Sequence, residues 1–218
     1  IGSVPGAVSD VSLSKDAQGR LTSRVSVIGG GRPVGLCGTG LIALVSELKR
    51  MGLMDGTGLL KEQYWKGGFV FAEGVADDEE GGRAGEGTGS RDGALSLTQK
   101  DIREFQLAKG AIRAGISILL AKAGLEAEEM DQVYLAGGFG FFLDTGKAID
   151  VGLLPPGWRG KIAAVGNSCI GGLIRYLNEG GETLKRLFDR SRIVELNLAG
   201  QPDFYEQYMR AMAFEEEM

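Results

Sequence analysis

The sequence predicts an α/β domain of layered helices and strands, and three observations carry that prediction. The second half alternates in pattern: helix, strand, helix, strand, helix, strand, helix, the order that lays helices over a sheet. A long amphipathic helix lies mid-chain between clear start and stop signals. The run Val133-Tyr134-Leu135-Ala136-Gly137-Gly138-Phe139-Gly140 reads as a buried strand ending in a glycine turn. Such a turn lets a flat ligand press against bare backbone, at the end of the strands where open α/β sheets bind ligands.

In order along the chain, residues 8–28 form a hairpin pattern. Val8, Val11 and Leu13 lead into Asp16-Ala17-Gln18-Gly19; Leu21, Val25, Val27 and Ile28 follow, and Gly29-Gly30-Gly31 ends the pair. Pro33 to Gly40 opens a helix through Met51, with Leu41, Leu44, Val45 and Leu48 at helical spacing and Gly52 as its stop. Tyr64-Trp65 and Phe69-Val70-Phe71 predict a small strand or two. The acidic, Gly-rich stretch 77–93 has little to bury and reads as a solvated surface loop.

Thr98 N-caps the long helix, with Asp101 three residues on in a capping-box arrangement, and Gly124 stops it. Its apolar stripe is predicted along Ile102, Phe105, Ile112, Ile116, Leu119 and Ala123. Ala108, Gly110, Ala111, Ala114 and Gly115 cost helix propensity but admit a close neighbour, which points to tight packing. Past the glycine turn, 144–150 is a short helix, Lys161–Val165 a strand, and Ile170–Leu177 and Leu184–Phe188 two helices. Arg192–Leu198 is expected as a last strand and 203–214 as a closing helix. The expected division is a hairpin, 1–32, left from a preceding subdomain, and an α/β domain, 33–218.

Composition excludes several classes. A net charge of −5 over 218 residues argues against a nucleic-acid or anionic-membrane binder. No stretch approaches the roughly 20 apolar residues of a membrane span, and no leader is visible, so a cytoplasmic protein is expected. The chain has no histidine, which excludes His-dependent triads. Its two cysteines, Cys37 and Cys169, cannot supply the four ligands of an iron–sulfur cluster or structural zinc, and buried, inert thiols are the expectation for both. The chain opens on Ile1 in a Gly/Pro-rich stretch and reads as a piece of a longer protein.

Six phrases, in register from about residue 33 to the end, carry a family resemblance. They are Gly35-Leu36-Cys37-Gly38-Thr39-Gly40-Leu41-Ile42, Leu97-Thr98-Gln99-Lys100-Asp101-Ile102-Arg103, Gln106-Leu107-Ala108-Lys109-Gly110-Ala111-Ile112, Leu135-Ala136-Gly137-Gly138-Phe139-Gly140, Ile149-Asp150-Val151-Gly152-Leu153-Leu154-Pro155 and Val165-Gly166-Asn167. Together they resemble the C-terminal part of the reductive activators of corrinoid proteins, large ferredoxin-like proteins. The resemblance implies a ribonuclease-H-like sheet of the actin/sugar-kinase/Hsp70 ATPase type. It implies ATP or ADP with Mg as ligand, a [2Fe–2S] cluster in an N-terminal domain outside this segment, and a corrinoid protein as partner. The implied activity is ATP-coupled reduction of Co(II) to Co(I), with this segment inactive alone. Two departures stand out: the cluster cysteines and the family's upstream Gly-Thr-Asn-Gly-Glu phosphate loop have no counterpart here. Phosphate contacts supply much of a nucleotide's affinity, so this segment by itself is expected to bind ATP weakly.

By position in that resemblance, Gly137, Gly138, Phe139 and Gly140 form the adenosine floor. Gly38, Thr39 and Gly40 open a helix whose free N–H groups suit an anion, with close helix-on-sheet packing as the equal alternative. Asp101 is explained by capping, which leaves Gln99 and Lys100 to reach a ligand. Asn167 ends a strand, either as a ligand contact or as an Asn turn. Asp144 is an N-cap, and Cys37, at a helix start, is open to a lowered thiol pKa. No catalytic base is identifiable. A homodimer is expected. Two other readings compete: an interaction or dimerisation module using the glycine-rich helix and the acidic loop, and a small-molecule kinase of the same fold.

Overall fold

The computed structural model describes residues 1–73, 93–191 and 194–214. The hairpin forms as expected, from β1 (Ala7–Lys15) and antiparallel β2 (Leu21–Val27). A bulge at Ser9 shifts the register between Val8 and Asp10. That extra residue resets the pleat, so Val8 joins Val11 and Leu13 on the buried face despite the odd spacing.

A two-residue strand, β3 (Gly35–Leu36), pairs parallel with β1 at Ala7 and Val8 only. Beyond Val8 that edge of β1 is sealed by side chains. The Leu13 amide donates to Glu47 Oε2 (2.7 Å), and Arg50 Nη2 and Lys147 Nζ donate to the Leu13 and Val11 carbonyls (2.5 and 3.0 Å). Buried backbone groups need such partners, and here three charged residues replace a neighbouring strand. Burial pushes the Glu47 carboxyl up, but hydrogen bonds from Arg50 and Leu13 outweigh it and hold the group below its ordinary value.

Helix α1 (Gly38–Arg50) lies across the hairpin with Ile42, Leu44, Val45 and Leu48 buried. Antiparallel β4 (Phe69–Glu73) and β5 (Ala94–Leu97) make a second small sheet, joined to β2 where Ser23 Oγ donates to the Phe71 carbonyl (2.7 Å). The acidic stretch 77–93 falls outside the described residues except for Gly93.

Helix α2 (Gln99–Ala123) begins and ends where expected, with both hydrogen bonds of the capping box and Gly124 left-handed at φ 68°. Its buried face differs from the predicted stripe. Ile102 and Phe105 are buried, but Ile112 and Leu119 are about half exposed, and Gln106, Lys109, Gly110, Ala114 and Gly115 are buried instead. The cause is α7 (Phe204–Met212), which packs on the small residues: a Cβ at Gly110 would stand 3.2 Å from the Tyr208 carbonyl. The polar side chains there satisfy the orphan carbonyls at the end of α7. Gln106 Nε2 donates to Met212 O (2.8 Å), and Lys109 Nζ donates to Ala211 O and Ala213 O.

The third sheet is parallel, β6 (Val133–Ala136) beside β7 (Ile162–Gly166). Strand β6 is one-sided rather than buried: Val133 and Leu135 pack on the core, while Tyr134 is 67 % exposed. Two short helices follow it, α3 (Gly137–Phe142) and α4 (Thr145–Asp150), with Asp144 accepting from the Lys147 amide as the N-cap of α4. Beyond β7 come α5 (Ser168–Glu179) and α6 (Gly181–Arg190), both as expected. The last strand is not seen among the described residues: 194–197 are irregular, Leu198 begins a 3₁₀ turn, and residues 192 and 193 lie outside the described set. One core unites Val8, Leu44, Leu97, Ile102, Val151, Trp158 and Phe214, so hairpin, helices and α4 region share a single interior.

Candidate functional site

The glycine run expected as a turn at the end of the strand is the start of a short helix. Gly137 leaves β6 with φ 90°, a value side-chain-bearing residues resist, and the chain then coils directly into α3. A Cβ at Gly137 or at Gly138 would meet nothing within 4 Å. The backbone at the carboxyl end of β6 therefore faces open space. Gly140 differs, because a Cβ there would lie 3.0 Å from Leu135 Cβ; packing explains that glycine.

Phe139 links two of the predicted segments. A Cβ on Gly38 would stand 2.8 Å from Phe139 Cε2, so the ring lies against the first turn of α1. The structure thus brings Gly38-Thr39-Gly40 and Gly137–Gly140 to one place, which their separation in sequence does not reveal. Within that turn Gly40 is set by packing: a Cβ would come 2.1 Å from the Val8 carbonyl oxygen. Thr39 is buried, with Oγ1 3.2 Å from Cys37 Sγ. Burial pushes the Cys37 thiol up, yet the Thr39 hydroxyl and the amides of Gly40 and Thr39 outweigh it, so its pKa is lowered, as a helix start allows. Cys169 is exposed on α5, contrary to the buried thiol expected.

The other predicted residues have local partners. Gln99 Oε1 accepts from the Leu60 amide (2.9 Å) and its Nε2 donates to Gly58 O (2.7 Å), pinning the 53–60 loop to α2. Lys100 is exposed, with only a 3.7 Å ion pair to Glu104. Asn167 N-caps α5, its Oδ1 accepting from Ile170 N (3.1 Å). Two features escaped sequence reasoning: the contact of Phe139 with Gly38, and Lys109, a buried lysine whose Nζ also lies 4.9 Å from the Phe214 ring centroid. A lysine amid small residues on a helix was the available signal for the second.

For nucleotide the fit is favourable, since the open backbone at Gly137 and Gly138 leaves the room a base and ribose need. For metal, the described residues hold no group of three or more His, Cys, Asp or Glu able to bind an ion. No described helix is long and apolar enough to cross a membrane.

The layering and the glycine-ended strand place the molecule among ASKHA-type ATPase-fold domains. The family model described as the C-terminal domain of RACo, the ASKHA domain, matches residues 2–218, and the chain belongs to that family. It is 31 % identical over 224 residues to the corrinoid activation enzyme RamQ of Eubacterium limosum, covering 96 % of this chain and 35 % of that protein. A second relative, the [Co(II) methylated amine-specific corrinoid protein] reductase of Methanosarcina barkeri, is 33 % identical over 76 residues, 35 % of this chain and 14 % of that one. Among solved structures, a reductive activator for corrinoid, iron–sulfur protein aligns with a TM-score of 0.76 and 29 % identity, over 98 % of this chain and 33 % of its own. The chain spans about a third of the length of the full-coverage relatives.

Proposed function

We propose that this domain supplies the adenosine-facing wall of an ATP site in a reductive activator of a corrinoid protein, acting as a homodimer. The observation that carries the reading is the bare backbone of Gly137 and Gly138 at the carboxyl end of β6, open to solvent and flanked by Phe139. A flat base can lie against such a surface, and Phe139, 51 % exposed, offers a ring face or edge beside it. The first turn of α1 is brought alongside, with the Phe139 ring lying against Gly38.

In this reading the bound nucleotide supplies hydrolysis energy, and the electron that takes Co(II) to Co(I) comes from a [2Fe–2S] domain outside this segment. This chain's own residues bind and orient. Gly137 and Gly138 leave room for the adenosine, Gly140 and Gly40 fix the two turns, and Asn167 caps the helix that follows β7.

Calorimetric titration with ATP and ADP tests the reading, on the 218-residue chain and on a form extended upstream. Tight binding is expected in the extended form, falling at least tenfold on Gly138→Trp, whose ring fills the open space. A folded, extended protein that ignores both nucleotides overturns the proposal.

A further inference from the structure

The backbone of Gly38 does not ask for a glycine. The residue opens α1 in helical conformation and is not among the glycines with positive φ, and glycine is a poor helix former. Its reason lies in a side chain a hundred residues away. The three nearest heavy atoms that a Cβ there would meet all belong to the Phe139 ring: Cε2 at 2.8 Å, Cδ2 at 3.3 Å and Cζ at 3.8 Å. The next two phenylalanines of α3, Phe141 and Phe142, instead pair edge to face with each other, their centroids 5.1 Å apart.

We infer that Gly38 is a positioning residue for the nucleotide site: by carrying no side chain it seats the Phe139 ring, and the seated ring is the wall against which the adenine base packs. The inference deepens the nucleotide reading of the 137–140 segment and rests on it. Firm support on the α1 side gives the seat its effect. On either side of Gly38 the chain is pinned to one point of β1. The Cys37 amide donates to the Val8 carbonyl (3.1 Å), and Gly40 lies so close to that carbonyl that a Cβ would come 2.1 Å from its oxygen. Ile42, Leu44 and Val45, all buried, hold the rest of that turn in the core.

A methyl at residue 38 therefore cannot retreat, and the ring must. Carbon atoms rest at about 3.5–4.0 Å from one another, so the ring edge has to move by about 1 Å. It has room to do so, because Phe139 is half exposed and its neighbour Gly138 faces open space. Binding groups have to stand within about 0.5 Å of their productive position, and aromatic packing depends on offset and separation. A substitution at Gly38 thus disturbs the site while sparing the core. Gly40 is the opposite case, since the obstacle there is backbone.

Calorimetric titration of the full-length protein with ATP, on a double-mutant cycle of Gly38→Ala and Phe139→Ala, decides it. Each single variant should weaken ATP about tenfold, the scale of one lost base–aromatic contact. In the Phe139→Ala background, Gly38→Ala should change nothing further, because no ring is left to displace. A merely structural role of Gly38 would weaken binding equally in both backgrounds, and that result overturns the inference, as does ATP binding indifferent to Gly38→Ala; both leave the nucleotide reading standing. A folded protein that binds no ATP removes the two together. If Gly38→Ala fails to fold, recovery of folding on adding Phe139→Ala, with about tenfold weaker ATP binding by Phe139→Leu, carries the test. Misfolding that Phe139→Ala does not relieve, or parent-like affinity in Phe139→Leu, overturns it.

Discussion

The hairpin–α1 block and the β6–β7–α5–α6 block use the same amphipathic elements to opposite ends. In the first, Val8, Val11, Leu13, Leu44, Val45 and Leu48 are almost wholly buried, and even the open edge of β1 is closed by Glu47, Arg50 and Lys147. In the second, the outer face of β6 and both hairpin helices present apolar side chains outward. Parallel strands ordinarily lie between two covering layers, and this parallel pair has one bare face. The lesson is that burial in this chain is completed locally at one end and left open at the other.

The glycines give the strongest test of that contrast. Gly40→Ala places a Cβ 2.1 Å from a backbone oxygen that cannot retreat, and a loss above about 4 kcal/mol, or failure to fold, is expected in urea unfolding. Gly138→Ala meets nothing within 4 Å and should stay within about 0.5 kcal/mol of the parent. Equal effects would erase the distinction between the packed and the open turn.

Leucine and phenylalanine sharpen the same point at lower amplitude. Leu44→Ala, at 0 % exposure, should cost about 2–5 kcal/mol by lost burial and a residual cavity. Phe142→Ala, at 73 % exposure, should change stability by under about 0.5 kcal/mol. Paired chemical denaturation curves give both numbers.

The β1 edge adds a pH dependence. Glu47 titrates below its ordinary value of 4.5 in the folded chain. Its contribution is therefore complete above that ordinary value and disappears as pH falls through the lower folded one. The stability of Glu47→Gln relative to the parent, followed from neutral pH to about pH 3, should show a deficit that shrinks on acidification. A constant difference would mean the charge does not help seal the edge.

The smallest expected effect is at the start of α2. Thr98→Ala removes the hydroxyl that accepts from the Asp101 amide and should cost about 1 kcal/mol, seen as a modest shift in the denaturation midpoint.

Much of the fold was legible because its signals are local. The capping box at Thr98 and Asp101, the stop at Gly124, the hairpin turn at 16–19 and the N-cap at Asp144 each depend on a few consecutive residues, and each forms where expected. The open backbone after β6 could likewise be anticipated from consecutive glycines. Long-range contacts could not. The stripe of α2 was misplaced at Ile112 and Leu119 because a distant helix, α7, selects Lys109 and Gln106 by offering them carbonyls. The strand expected at 192–198 had β-forming residues, but its described part, 194–198, pairs with no strand, and a strand needs a partner where a helix does not.

By itself, then, the sequence determined the order and ends of most elements, the family phrases and the glycine pattern, since capping, periodicity and backbone freedom act within a few residues. Only the tertiary structure decided that Phe139 joins Gly38 to the 137–140 segment, that Gly40 serves packing, and that α5 and α6 are left bare. Those facts depend on which distant surfaces meet, and the free energy of burying a side chain is set by the neighbour that covers it.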